Sequence, residues 1–363
     1  MKNKQPKNRY IYHAPSSAGC PAGEEGRAPS RRPARKKSRW RQRMGHFLAC
    51  LGVSLVCLAI FVFGGAAIIN YGPSPSVRNL FVTSMMETSA AKFLASWYFS
   101  DEELESILQA NSIQDTGAVT DGSLVEIPDQ PPSEDQPPLQ LEDVSGPTFK
   151  GKMLIVQDPS RVYLATSGSF GSGAEGKKVE QMMERDGAVA GVNAGGFVDE
   201  NGVGNGGQPL GMVIAGGELL NGGLNTPSVI AGFDQDNKLI VGSLTGSEAL
   251  EMGLRDAVSF GPVLIVNGER AQVEGTGGGL NPRTAIGQRA DGAVLLLVID
   301  GRQPHSIGAT YKDLIDVMEE YGAVNACNMD GGSSSLMFYE GELVTTCASL
   351  YGSRKIPTAW LVK

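Results

Sequence analysis

Asn325-Ala-Cys-Asn-Met-Asp330-Gly331-Gly332-Ser333-Ser334-Ser335 decides how the body of this chain is read. An apolar run of strand-like composition stops at a carboxylate, and glycines and hydroxyls follow at once. Glycine lets a backbone approach a ligand closely, and successive N–H groups in such a turn form a concavity suited to anions. The segment therefore predicts a buried strand whose end carries a functional loop.

Two further blocks lie upstream. Asn281-Pro-Arg283-Thr284-Ala-Ile-Gly287 leads into a β-like run, and Asn193-Ala-Gly195-Gly196-Phe197 closes another. Short β-like runs broken by turns fill the chain from Phe149 onward. Val229–Phe233 and Lys238–Val241 flank Asp234-Gln-Asp-Asn237, Val263–Val266 meets Asn267-Gly268, and Thr284–Gln288 and Val294–Ile299 flank Asp291-Gly292. One helix stands out. Thr310 and Asp313 form a capping box, Leu314, Val317, Met318 and Tyr321 make one apolar stripe, and Gly322 stops it. The expected fold is α+β, a domain rich in mixed or antiparallel sheet with few helices, covering residues 149–363.

The net charge of -8 conceals a division: residues 1–45 carry +11, which leaves -19 for the remainder. An acidic body of that kind argues against nucleic acid as a partner. Residues 46–69 include Phe47 to Ile69, a stretch without a charge and long enough to cross a bilayer. The basic residues before it predict a single-pass signal anchor, with residues 1–45 as a cytoplasmic tail and the body outside the cell. Ala66-Ala67 leaves cleavage as a signal peptide open. Residues 70–110 read as a helical membrane-proximal segment in which Ser100 and Glu103 form a capping box. Residues 111–148 hold eight acidic side chains, no Lys or Arg, and two Gln-Pro-Pro runs, a composition that predicts a tether. The spacing of Cys327 and Cys347 permits a disulfide on the outer side.

His13, His46 and His305 are the only histidines, so a His-rich metal site is excluded by count. No cofactor is required, although carboxylate-bound Ca²⁺ or Mg²⁺ stays open. The chemistry then rests on Asp, Arg, Asn, Gly and Ser. Asp300 and Asp330 each end an apolar strand, and adjacent strands would bring two carboxylates together, as glycoside hydrolysis requires. Arg283 offers a guanidinium fork for a phosphate or carboxylate. Asn193, Gly195, Gly196, Thr284, Gly331, Gly332, Ser333 and Ser334 supply neutral donors and hydroxyls for a substrate. Gly275-Thr-Gly-Gly-Gly279 reads as a lid.

Taken in order, Asn193–Phe197, Phe260-Gly-Pro262, Asn281–Gly287, Asp300-Gly-Arg-Gln303 and Asn325–Ser335 resemble the phosphodiester glycosidase family over roughly Phe149 to Lys363. Ser333 stands where the family usually has a third glycine, and Met329 where it has leucine. The resemblance implies a hydrolase that cuts the bond between a sugar's anomeric carbon and a phosphodiester oxygen, with Asp330, Asp300 and Arg283 as catalytic residues. A cell-surface glycan, such as an exopolysaccharide, is then the expected partner. A non-catalytic glycan-binding module and a metal-dependent phosphodiesterase are the alternatives.

Overall fold

The computed structural model describes residues 39–88, 91–114, 116–128, 137–171, 173–199, 204–349 and 352–363. The basic tail before residue 39, with His13 and Cys20, and the first Gln-Pro-Pro run lie outside them.

Val294–Ile299 is apolar at every position because both of its faces are covered. Val294, Leu296 and Val298 enter one core, while Leu295, Leu297 and Ile299 enter another. The strand sits inside a seven-stranded sheet ordered Glu269–Arg270, Val263–Val266, Ala323–Met329, Arg283–Arg289, Val294–Ile299, Lys150–Val156 and Leu139–Ser145. Every pairing in it is antiparallel.

One face of this sheet packs on two five-stranded sheets. Trp360 and Val362 reach it from a sheet ordered Glu342–Leu343, Met337–Tyr339, Ala190–Asn193, Thr358–Val362 and Val162–Thr166. Phe233 and Val241 reach it from Glu218–Asn221, Val213–Ala215, Asp256–Ser259, Ser228–Phe233 and Leu239–Leu244. The Trp360 and Phe233 rings meet edge to face, 5.6 Å apart.

Seven α-helices lie among the described residues: α1 (Arg39–Tyr71), α2 (Pro75–Met86), α3 (Phe93–Ser96), α4 (Asp101–Gln109), α5 (Val179–Asp186), α6 (Gly246–Glu251) and α7 (Tyr311–Glu320). Leu314, Ile315 and Met318 of α7 cover the second face of the seven-stranded sheet, and the Thr310–Asp313 capping box starts that helix. The Ser100–Glu103 box starts α4. α1 is the one helix among the described residues long and apolar enough to cross a membrane. From Leu58 onward the chain forms one compact unit with the body.

The expected tether over residues 111–148 is corrected by the structure where it is described, at 111–114, 116–128 and 137–148. Ile113–Gln114 pairs with Gln272–Val273, Thr120 hydrogen-bonds Val241, and Leu139–Ser145 runs the full length of Lys150–Val156 as an edge strand. Val125 and Val144 are buried and outweigh the acidic composition, while Asp121, Glu126, Glu142 and Asp143 face outward.

Candidate active site

The loop after Ala323–Met329 is fixed from the facing sheet. Asn193 ends Ala190–Asn193 and is almost wholly buried. Its Nδ2 donates to the Asp330 carbonyl at 2.6 Å, and its Oδ1 accepts from Thr284 Oγ1 at 2.8 Å and Leu336 N at 3.3 Å. Asp330 N in turn donates to the Ala194 carbonyl at 3.0 Å. Asn193 and Thr284 therefore hold Asp330 in place across the sandwich and have their polar atoms occupied in doing so.

Asp330 is half-buried, and its Oδ1 accepts from Gly331 N at 3.0 Å. Burial pushes its carboxyl up to about 6, and nearby Asp199 adds to the rise. Ser334, Arg354 and the Gly331 amide pull the other way without cancelling it. A carboxyl poised there exchanges its proton readily near neutral pH.

Arg354 and Asp199 complete this cluster. The guanidinium reaches both Asp199 oxygens at 2.7 Å, touches Ser333 Oγ at 3.2 Å, and lies over the Phe197 ring. The Arg354 side-chain hydrogen bonds hold Asp199 below its ordinary value. Sequence reasoning missed both residues. Asp199 lies two positions beyond the Asn193–Phe197 block, which was the available signal, whereas nothing around Arg354 marks it.

A second cation borders the loop. Gly332 has φ +63, and the position its Cβ would occupy lies 3.4 Å from Arg302 Nη2. Arg302 is exposed and adopts φ +58, a conformation uncommon outside glycine. Its Nη2 also donates to Asn281 Oδ1 at 2.8 Å and Thr88 Oγ1 at 3.0 Å.

Arg283 does not join this group. Adjacent residues of a strand point to opposite faces, so Thr284 meets Asn193 while Arg283 turns toward α7. There its guanidinium stacks 3.9 Å over Tyr311 and donates to Glu87 Oε2 at 2.6 Å, Gly279 O at 2.7 Å and Ala309 O at 3.1 Å. With 5 % of its side chain exposed and four partners engaged, it is a structural ion pair and has no face left for a substrate.

Asp300 is also committed. Its Oδ1 accepts from Thr346 N at 2.7 Å and its Oδ2 lies 3.1 Å from His305 Nε2. Its strand and that of Asp330 are separated by Arg283–Arg289, so the two residues sit two interstrand spacings apart, about 10 Å along the sheet. The expected neighbouring strands are thus not neighbours.

The amides expected to bind substrate at Gly195 and Gly196 face inward, the first donating to Thr358 Oγ1 at 3.2 Å and the second to Ser259 O at 3.4 Å. The Gly275–Gly279 loop is clamped rather than lid-like. Thr276 N donates to Asn111, and Gly279 N and Leu280 N donate to Glu87 and Ser84. No group of three or more His, Cys, Asp or Glu able to hold a metal gathers among the described residues.

Residues 186–363 match the family model described as "NAGPA: Phosphodiester glycosidase". The chain is 29% identical over 197 residues to the SPbeta prophage-derived uncharacterized protein YomE of Bacillus subtilis (strain 168), across 52% of this chain and 29% of that protein. It is 25% identical over 216 residues to N-acetylglucosamine-1-phosphodiester alpha-N-acetylglucosaminidase of Bos taurus, across 54% of this chain and 40% of that protein. The chain thus spans well under half the length of these curated relatives. Its fold is similar to that of the zebrafish N-acetylglucosamine-1-phosphodiester alpha-N-acetylglucosaminidase catalytic domain auto-inhibited by pro-peptide, with a TM-score of 0.51 and 22% identity over 63% of this chain and 84% of that one.

Proposed function

Because the chain belongs to the phosphodiester glycosidase family through residues 186–363, we propose that it hydrolyses the glycosidic bond of a sugar-1-phosphodiester outside the cytoplasmic membrane, with Asp330 as the reacting carboxyl. The observation that carries this reading is the placement of Asp330, with its raised pKa of about 6, in a loop bordered by the guanidinium groups of Arg302 and Arg354. A sugar phosphodiester separates into a sugar cation and a phosphate anion as its bond breaks, and the loop offers both complements.

In the proposed reaction the anomeric carbon–oxygen bond breaks and its electron pair leaves on the phosphate oxygen. Water supplies the new oxygen on the sugar, and its proton passes to the Asp330 carboxylate before release to solvent. A phosphomonoester is a good leaving group, so stabilising its charge matters more than protonating it. Arg302 is assigned to that charge, in the place expected of Arg283. Arg354 holds Ser333 and sets the field on Asp330, while Asn193 and Thr284 position the loop. Asp300 orders the Thr346 backbone and His305.

Sugar-1-phosphodiester turnover in ¹⁸O-water tests the reading. Release of reducing sugar carrying the label is expected from wild type, and less than 1% of that rate from Asp330→Asn. Label on phosphate would make the protein a phosphodiesterase, and tight binding without release would make it a binding module.

A further inference from the structure

The last turns of α1 are fastened to the body. The Phe63 ring stacks on Trp97 at 4.8 Å, and Phe63 O accepts from Tyr98 Oη at 2.6 Å. Phe63 belongs to the helix that is apolar enough to cross a bilayer, and its ring also lies 6.3 Å from Phe93 of α3, so α3 and the residues after it pack on the last turns of that helix. Tyr71 and Trp97 are about 70% exposed, as aromatic side chains at a membrane–water boundary are.

α2 begins four residues beyond α1, and its far end grips the body through Ser84 and Glu87. At its near end the helix stands off. An open groove of about 320 Å³ lies there, with Ser76, Val77 and Leu80 on the helix side and Pro147, Leu280 and Thr310 among the residues opposite. Its walls are mostly apolar. Asp313, the one carboxylate on its lining, is taken up by the Thr310 cap. One end of the groove starts five residues past α1. The other reaches Leu280, whose neighbour Asn281 receives the hydrogen bond of Arg302, the cation bordering the Asp330 loop.

We propose that this slot takes the first carbon units of a lipid chain, and that the substrate is a lipid-linked sugar-1-phosphodiester drawn from the bilayer. The chain enters beside Val77 and Leu80, the phosphate meets Arg302, and the sugar reaches Asp330. A pocket near the lower end of ligand-site volumes suits a short stretch of hydrocarbon rather than a whole lipid. The slot begins five residues past a helix apolar enough to cross a bilayer and ends at Leu280, next in sequence to the Asn281 that Arg302 holds, so a hydrocarbon chain and an anion each have a suitable neighbour. The sugar end of this assignment rests on the reaction proposed above, whereas occupancy of the slot does not.

The test uses the full chain in lipid nanodiscs and a synthetic sugar-1-phosphoryl lipid with a diazirine on its chain near the phosphate. Asp330→Asn protein keeps the probe intact. Irradiation is expected to label peptides containing Ser76 to Leu80 or Leu280. Label confined to residues 58–71, or absent from folded protein, overturns the slot. Filling it with Leu80→Trp is expected to remove the Leu280 label. The same change should lower the ratio of kcat/KM for the lipid-linked substrate over a methyl-linked soluble one at least tenfold, and an unchanged ratio also overturns the proposal. If wild type cleaves neither substrate while the slot is still labelled, the reaction falls and the slot stands.

Discussion

Thr284 and Arg283 are adjacent in one strand, yet they open onto two clusters of opposite character. On the Arg283 side, the guanidinium, Glu87, Tyr311 and two backbone carbonyls satisfy one another in a closed site. On the Thr284 side, a chain of hydrogen bonds through Asn193 ends at Asp330, a carboxyl that burial has left near its titration midpoint. Both clusters contain buried polar and charged groups. The first is saturated and the second is not, and that separates an ion pair serving stability from groups poised for chemistry.

The sharpest way to break this comparison is at the two charged groups themselves. Asp330→Asn is expected to lower kcat by about 1,000-fold or more with the fold retained, read as reducing sugar released by protein of native circular dichroism. Arg302→Ala should cost on the order of 100-fold in kcat/KM, as loss of one oxyanion donor does, whereas Arg302→Lys restores part of it. If Arg283→Lys is instead the more damaging change to kcat in folded protein, the two clusters have been assigned the wrong way round.

Stability sharpens the contrast. Glu87→Ala leaves the Arg283 cation buried without its carboxylate and is expected to cost about 3 kcal/mol in urea unfolding. Asp330→Asn should act in the opposite direction. The folded carboxyl titrates near 6 against an ordinary value of 3.8, so the folded state holds its proton more tightly than the unfolded chain. The resulting stabilisation is complete at acid pH and disappears as pH rises through 6. The Asn variant should therefore gain on wild type by about 1–3 kcal/mol above that window and by little at pH 4. A pH–rate profile gives the smallest effect and the finest test. Activity is expected to rise about tenfold per unit below pH 6 and to level above it. A rate that falls through 6 would make Asp330 the proton donor.

Much of this was legible in the residues. Asn193, Arg283 and Asp330 are the residues the sequence suggests should converge; Asn193 and Asp330 do meet, with Thr284 beside them, whereas Arg283 does not. The both-sided burial of Val294–Ile299 and the capping boxes of α4 and α7 follow from local pattern. The turn of Arg283 away from the loop follows from strand alternation, but a motif that includes both Arg283 and Thr284 invites placing them together. Arg354 was not legible. It meets Asp199 across 155 positions of sequence, and no local pattern encodes such a partner. The segment over residues 111–148 misled because its charges are counted easily, whereas Val125 and Val144 act through burial that composition does not show.

The 2.6 Å contact from Asn193 to the Asp330 backbone has a consequence for how this protein fails. Since one partner comes from each layer, any loosening between layers displaces the acid before either layer has melted. The proposed hydrolysis should then fade ahead of ellipticity on heating, so that turnover is the earliest reporter of disassembly.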